Sequence, residues 1–159
     1  MAIYMKMNGA EGNVTSKGYE GWIQLESLDN GISRRIQARV GQTGNRERTI
    51  PSFQEIEITK HIDPSTYFLY QTACCDQTIP EIEIHACSTG TEVSPYAKYI
   101  LNHVMISHYQ EVIDADKQPI EMLRLNFTKI QKTYMARDTM NKPQNPVTFG
   151  FDLTAAKKL

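Results

Sequence analysis

Residues 53–70 read FQEIEITKHIDPSTYFLY, and the apolar period changes halfway along. From Gln54 to Ile62, the side chains of Ile56, Ile58 and Ile62 alternate with Glu55, Glu57 and His61. A period of two sends successive side chains to opposite faces of an extended chain, so this half is a strand with one buried face. The second half turns helical. Asp63 suits an N-cap, and Pro64 follows at the first helical position, where its missing N–H is not needed. Phe68, Leu69 and Thr72 then recur at helical spacing with Ala73 beside them, and Asp76 and Gln77 begin the exit. A helix over about residues 64–75 is expected.

The alternation recurs on both sides of this stretch. Ile3 to Met7 and Ile23 to Leu28 read as strands, the latter with Ile23 and Leu25 opposite Gln24 and Glu26. Glu81 to Ser88 sets Ile82, Ile84 and Ala86 against Glu81, Glu83 and His85. Tyr96 to Val112 is a longer run rich in Tyr, Ile and Val. Met122 to Tyr134 places Leu123, Leu125 and Phe127 on one face before Ile130 and Tyr134, and Val147 to Leu153 aligns Val147, Phe149, Phe151 and Leu153. About seven short alternating strands and one helix mean a β-sandwich or a β-barrel.

One connection is too long to be a simple turn. Asp29 to Pro51 carries Arg34, Arg35, Arg39, Arg46 and Arg48, with Gly31, Gly41 and Gly44, while Ile32, Ile36, Ala38 and Val40 hint at a hairpin arm. Connections beyond about 12–15 residues are uncommon in compact domains and are often functional. Arg137 to Pro146, with Pro143 and Pro146, reads as a loop. No repeat or linker divides the chain, which is expected to form one domain over 1–159.

Composition excludes several function classes. At 159 residues, with 40% hydrophobic and 22% charged residues, the chain can bury a core without disulfide or metal staples. A net charge of −1 lacks the positive surplus that a general nucleic-acid binder needs. Cys74 and Cys75 are adjacent and Cys87 leaves an odd count, which suits a reducing cytoplasm rather than a disulfide framework. The N-terminal residues form no secretory signal, and no segment has the ~20 apolar residues of a membrane helix. A protein of this kind that leaves the cell needs a dedicated machine.

Catalytic chemistry finds no support. His103 and His108 are five apart, an odd spacing for one strand face, and His61 and His85 sit among glutamates on separate strands, as on a solvated face. No zinc-type ligand spacing, nucleophile elbow, phosphate loop or dinucleotide fingerprint occurs. Glu55, Glu57, Glu81 and Glu83 fall on exposed strand faces, where solvation is the plain role. Cys74 and Cys75 are expected to be buried small residues of the helix rather than reactive thiols. No cofactor is expected.

Several segments, in order, resemble the haemolysin-coregulated protein (Hcp) family of type VI secretion. These are the glycine turn at Gly9 to Gly12 with GYEGWIQLES (18–27), FQEIEITKHIDPSTYFLY (53–70) and EIEIHACSTGTEVSPYAKYILNHVMISHY (81–109), then LNFTKIQKTY (125–134) and VTFGFDL (147–153). The resemblance implies a mainly β fold: a compact β-barrel of two antiparallel sheets, one short flanking helix and a long extended arm at about 29–51. It also implies a non-enzymatic tube subunit that forms homohexameric, stacked rings. Its partners would be a spike protein, a contractile sheath and small effectors in the lumen, with no nucleic acid and no membrane insertion. Such a subunit would be cytoplasmic before firing and secreted without a signal peptide. On that reading Arg34, Arg35 and Arg39 are candidates for ring-stacking contacts of the arm, and Glu55, Glu57, Glu81 and Glu83 for their acidic partners. Gln24, Glu26 and Ser27 are candidates for the lumen. The alternatives are a lipocalin-like barrel whose tyrosines line a small-ligand cavity, an enzyme or toxin, and nucleic-acid binding through the arginine arm.

Overall fold

The computed structural model describes residues 1–37, 40–41 and 47–159. In chain order the elements are β1 (Ala2–Met7), β2 (Ile23–Leu25), β3 (Ser27–Asp29), β4 (Ile32–Ser33), β5 (Ile36–Gln37), β6 (Glu47–Arg48), β7 (Ser52–Phe53), β8 (Ile56–His61), α1 (Thr66–Cys74), β9 (Ile79–Ser88), β10 (Ser94–Val112), β11 (Ile120–Asn126), β12 (Lys129–Tyr134), β13 (Val147–Asp152) and β14 (Lys157–Lys158). Every pairing is antiparallel.

Two sheets share β10. The first runs β2-β1-β9-β10-β12-β13-β14, and the second runs β10-β11-β8-β3. The mainly β class with one short helix matches the expectation. The expected barrel is not closed, since β2, β3 and β14 remain ladder ends, and the corners are made by strands that change sheet. β10 parts from β12 after Asn102, next to His103 with its φ of 50°, keeps its pairing with β9 to Val104, and is irregular again between Ile106 and His108. At the other corner β2 pairs with β1, β3 pairs with β8, and the Glu26 N–H between them donates to Thr59 O at 2.7 Å. The long apolar run through Tyr134 divides at Phe127 and Thr128 for the same reason, since β11 belongs to the second sheet and β12 to the first.

The inner faces meet in one core. Met5, Ile23, Ile56, Ile58, Leu69, Ile82, Ile84, Leu101, Leu123 and Leu125 are fully buried there. Each such side chain contributes roughly 1.5–3 kcal/mol by leaving water. The space between the two sheets is therefore filled by side chains.

The helix begins later than its sequence predicts. Asp63 Oδ1 accepts from the Ser65 N–H at 2.9 Å and from the Ser65 hydroxyl, and it also pairs with Lys60 Nζ at 2.9 Å. Asp63 and Pro64 thus form a turn that precedes the helix, and the first helical residue is Thr66. The helix buries Thr66, Leu69 and Thr72. Cys74 and Cys75, expected to be buried, are exposed because they lie at the end of the helix beyond that stripe, whereas Cys87 is buried in β9.

The segment between β1 and β2 folds back over the outer face of the first sheet. Its Val14, Tyr19 and Trp22 cover Tyr4 of β1 and Cys87 of β9, building a second small core. Gly12 donates to Gly21 O at 2.9 Å, and Val14 to Trp22 O at 3.2 Å. This cover corrects the expectation for His85, which is buried rather than solvated.

Candidate assembly surface

Three surfaces and two buried polar clusters stand out from the fold. The first surface is the arm, a two-stranded ribbon in which Ile32 pairs with Phe53 and Ile36 with Arg48. At its base Phe53 stacks on Phe151 at 5.0 Å, which anchors it to β13. Further out, Ile32, Ile36, Ile50, Arg34 and Arg35 are all exposed. Arg39, the third sequence candidate, lies outside the described residues, as does Arg46.

The acidic candidates do not form a free patch. Glu55 accepts from the Ser107 hydroxyl at 2.5 Å and from Asn126 Nδ2 at 3.1 Å. Glu57 accepts from Arg124 Nε at 3.1 Å, and these two line a cleft of about 350 Å³ with Asp29, Gln54 and Glu55. Glu81 accepts from Asn102 Nδ2 at 3.3 Å on the other sheet, and Glu83 meets His85 Nε2 at 2.6 Å. The structure therefore brings Glu55 and Glu57 together, apart from Glu81 and Glu83. The lumen candidates do gather at the corner. Gln24 and Glu26 line a cleft of about 150 Å³ with His61, whose Nε2 is 3.5 Å from Glu26 Oε1. Ser27 exchanges a hydroxyl hydrogen bond with Thr59 at 2.5 Å.

The second surface is a wing. The core face of the first sheet continues past the second sheet along two rows, Ala97–Tyr134–Val147 and Tyr99–Lys132–Phe149. Tyr134 is 58% exposed, Val147 69% and Phe149 46%, although all three share the inward phase of buried Ile130. The third surface lies at the far end of the second sheet. There His61, Ile120 and Val112 stand side by side across β8, β11 and β10, with Ile62 and Ile113 next in sequence.

Sequence reasoning missed both buried polar clusters. In the first, Lys60 and Glu121 face each other across β8 and β11 and are both fully buried. Lys60 Nζ donates to Glu121 Oε2, to His61 O at 2.9 Å and to Asp63 at 2.9 Å, so each ammonium proton has a partner. Thr66 Oγ1 donates to Glu121 Oε2 at 3.1 Å, and Tyr109 Oη donates to Glu121 Oε1 at 2.5 Å. Burial, then the bonded Glu121 carboxylate, pushes the Tyr109 hydroxyl well above its ordinary pKa and keeps it a donor. The available signal was phase: Lys60 falls on the face of Ile56 and Ile58, and Glu121 on that of Leu123 and Leu125.

The second cluster is a relay beneath the folded-back segment. Cys87 Sγ donates to Tyr19 Oη at 3.3 Å, Tyr19 Oη lies 3.0 Å from His85 Nδ1, and His85 Nε2 meets Glu83. Tyr4 and Lys98 flank His85 on the neighbouring strands. Burial lowers the His85 pKa against the opposing pull of Glu83, and Lys98 adds to the lowering. The folded state therefore favours the neutral ring. Its contribution to stability is complete above the ordinary value of about 6.5 and is lost as pH falls below that value toward the depressed one. Urea midpoints measured from about pH 8 down to about pH 5 are expected to fall for the wild type, and this part of the fall should vanish in His85→Gln. An unchanged slope in that variant would assign the pH dependence elsewhere.

Among the described residues, no group of three or more His, Cys, Asp or Glu is gathered to hold a metal ion, and no helix is long and apolar enough to cross a membrane. Residues 4–134 match the protein family described as "Type VI secretion system effector, Hcp". The chain belongs to the Hcp family. Solved structures agree in fold. A type six secretion system protein superposes with a TM-score of 0.91 at 20% identity, covering 99% of both chains. Hcp1 from Salmonella typhimurium gives 0.80 at 17% identity over 99% of this chain and 98% of that one. A type VI secretion system effector from Yersinia pestis gives 0.75 at 15% identity over 94% and 98%. No curated protein matches the chain in sequence. This Hcp chain is thus a type VI secretion protein of the tube and effector family.

Proposed function

We propose that this Hcp chain, as one tube domain over 1–159, is a structural subunit of the type VI inner tube. It assembles as homohexameric rings that stack, carry small effectors and are propelled with the spike by the contractile sheath. It resides in the cytoplasm before firing and leaves through the type VI apparatus. The observation that carries this reading is the wing. A core-phase face bearing Tyr134, Val147 and Phe149 is left without cover by the chain's own second sheet. Apolar faces of this kind mark interaction sites. A head-to-tail contact made by one such face on a different face of the next copy closes into a ring when its rotation closes. Gln24, Glu26 and Ser27, polar and exposed at the sheet corner, are the side chains proposed to meet effectors in the lumen.

The test is assembly state. Light scattering and electron microscopy of purified protein should show six-copy rings. The double variant Val147→Asp/Phe149→Asp should be monomeric with a urea midpoint near that of the wild type. A wild-type chain that stays monomeric at high concentration would overturn the proposal.

A further inference from the structure

We propose that residues 10–22, the segment between β1 and β2, form an acid-released flap, latched to the first sheet by the hydrogen bond between Tyr19 and the neutral ring of His85. The main-chain bonds of the segment close on the segment itself. Gly12 donates to Gly21 O, Gly21 to Val14 O, Tyr19 to Ser16 O and Val14 to Trp22 O. Among the described residues, no main-chain bond joins residues 12–21 to the sheet beneath them. Side chains hold the flap down instead. Tyr4 Oη meets Ser16 Oγ at 3.2 Å, Lys6 lies over the Trp22 ring, and Tyr19 engages His85 and Cys87. The segment can therefore lift as a unit with its own bonding intact, a local opening that leaves the core folded.

The latch depends on where one proton sits. Cys87 Sγ donates to Tyr19 Oη, which leaves that hydroxyl to donate its own proton to His85 Nδ1, while His85 Nε2–H donates to Glu83. This order of donors needs a ring whose Nδ1 is bare. A proton added at Nδ1 would face the Tyr19 hydroxyl donor to donor. The hydroxyl would have to turn away, and its described partners include no second acceptor for it. The charged ring would also stay packed against Tyr19 and Trp22. Lifting the flap returns His85 to water, which solvates the charged ring.

The groups around the ring set the sign. From β9, Glu83 favours the charged ring and Cys87 is a thiol held neutral by burial. From β10, Lys98 opposes the charge, and β1 contributes Tyr4 and the exposed Lys6. The flap itself carries Glu11, Lys17 and Glu20, all exposed, with Glu20 accepting from the Gly18 N–H at 2.9 Å. Burial, with Lys98 adding to it, outweighs Glu83 and favours the neutral ring in the closed form. Opening is therefore independent of pH above the ordinary histidine value of about 6.5. Below it, opening becomes easier by up to about tenfold per pH unit, until the depressed value of the closed form is reached.

Cys87, buried beneath the flap, reports its opening. The full chain carrying Cys74→Ser/Cys75→Ser, which removes the two exposed thiols, is labelled with 4,4′-dithiodipyridine between pH 8 and pH 5. Each rate is divided by that of free cysteine at the same pH. The ratio is expected to stay level down to about pH 6.5 and then to rise severalfold while the far-ultraviolet circular dichroism remains that of the folded chain. His85→Gln in the same background keeps an acceptor for Tyr19 and a donor for Glu83 without a titrating ring, so its ratio should stay level to pH 5. Lys98→Gln, a change at a half-buried side chain, should shrink the rise. A level ratio in the His85 chain overturns the proposal whether or not the variants fold. A rise that persists in His85→Gln, or one that comes only with loss of the β-sheet signal, overturns it as well.

Discussion

Lys60→Met is expected to lower the free energy of unfolding by about 3–5 kcal/mol, the range for breaking a buried ion pair by removing one partner. Methionine fills much of the volume, so the loss is not mainly one of packing. What remains is the fully buried Glu121 carboxylate, with Asp63 nearly as enclosed, and no cation to compensate either. Removing both charges should be milder, because a well-packed apolar pair often replaces a buried salt bridge with little change. Lys60→Met/Glu121→Leu should therefore recover part of the lost stability, although it strands the hydroxyls of Thr66 and Tyr109 and leaves Asp63 with only its Ser65 donors. Urea unfolding of the wild type, both single variants and the double variant gives the coupling directly. Additive losses would show that the pair is not the working unit.

Gly12→Ala should be the second costly change. A Cβ at Gly12 would lie 2.3 Å from Trp22 O and 2.6 Å from Ile23 Cα, both main-chain atoms that cannot rotate aside. Overpacking typically costs about 1–3 kcal/mol, and a backbone obstacle places this case at the upper end of that range. The segment between β1 and β2 would have to lift, exposing Tyr4, Cys87 and His85 together. A linked readout follows: the variant should lose both amide protection in residues 12–22 and the pH sensitivity assigned to His85. Normal protection with a normal urea midpoint would show that the segment adapts by another route.

The strands were legible wherever one face meets the core and the other meets water. Ile56 and Ile58 against Glu55 and Glu57, or Leu123 and Leu125 against Arg124, gave the period its contrast. The reading failed where a second layer covers the outer face. His85 sits in the polar phase of β9 and is buried only because Tyr19 and Trp22 arrive from far away in sequence. It also failed at Lys60 and Glu121, where each charge looks like an interruption of its own strand and makes sense only once the pairing register is known. Phe149 and Val147 show the opposite error. Their apolar phase is correct, yet among the described residues Lys158 alone reaches over Phe149 and both side chains stay exposed. Of the stacking candidates, Arg34 and Arg35 were legible as an exposed basic arm. The exposed apolar patch at Ile62, Val112, Ile113 and Ile120 was not, because it is assembled from three strand ends.

The strand shared by both sheets bears on how the chain acquires its shape. β1 pairs with β2 and β9, and β9 pairs with β10, so neither sheet can be completed until most of the chain has been synthesised. Contact order is accordingly high, which places folding in the slow, millisecond-to-second regime typical of β topologies. A nascent chain halted before Ser94 would present unpaired strand edges to its neighbours, so truncation there should yield aggregates rather than a half-formed domain.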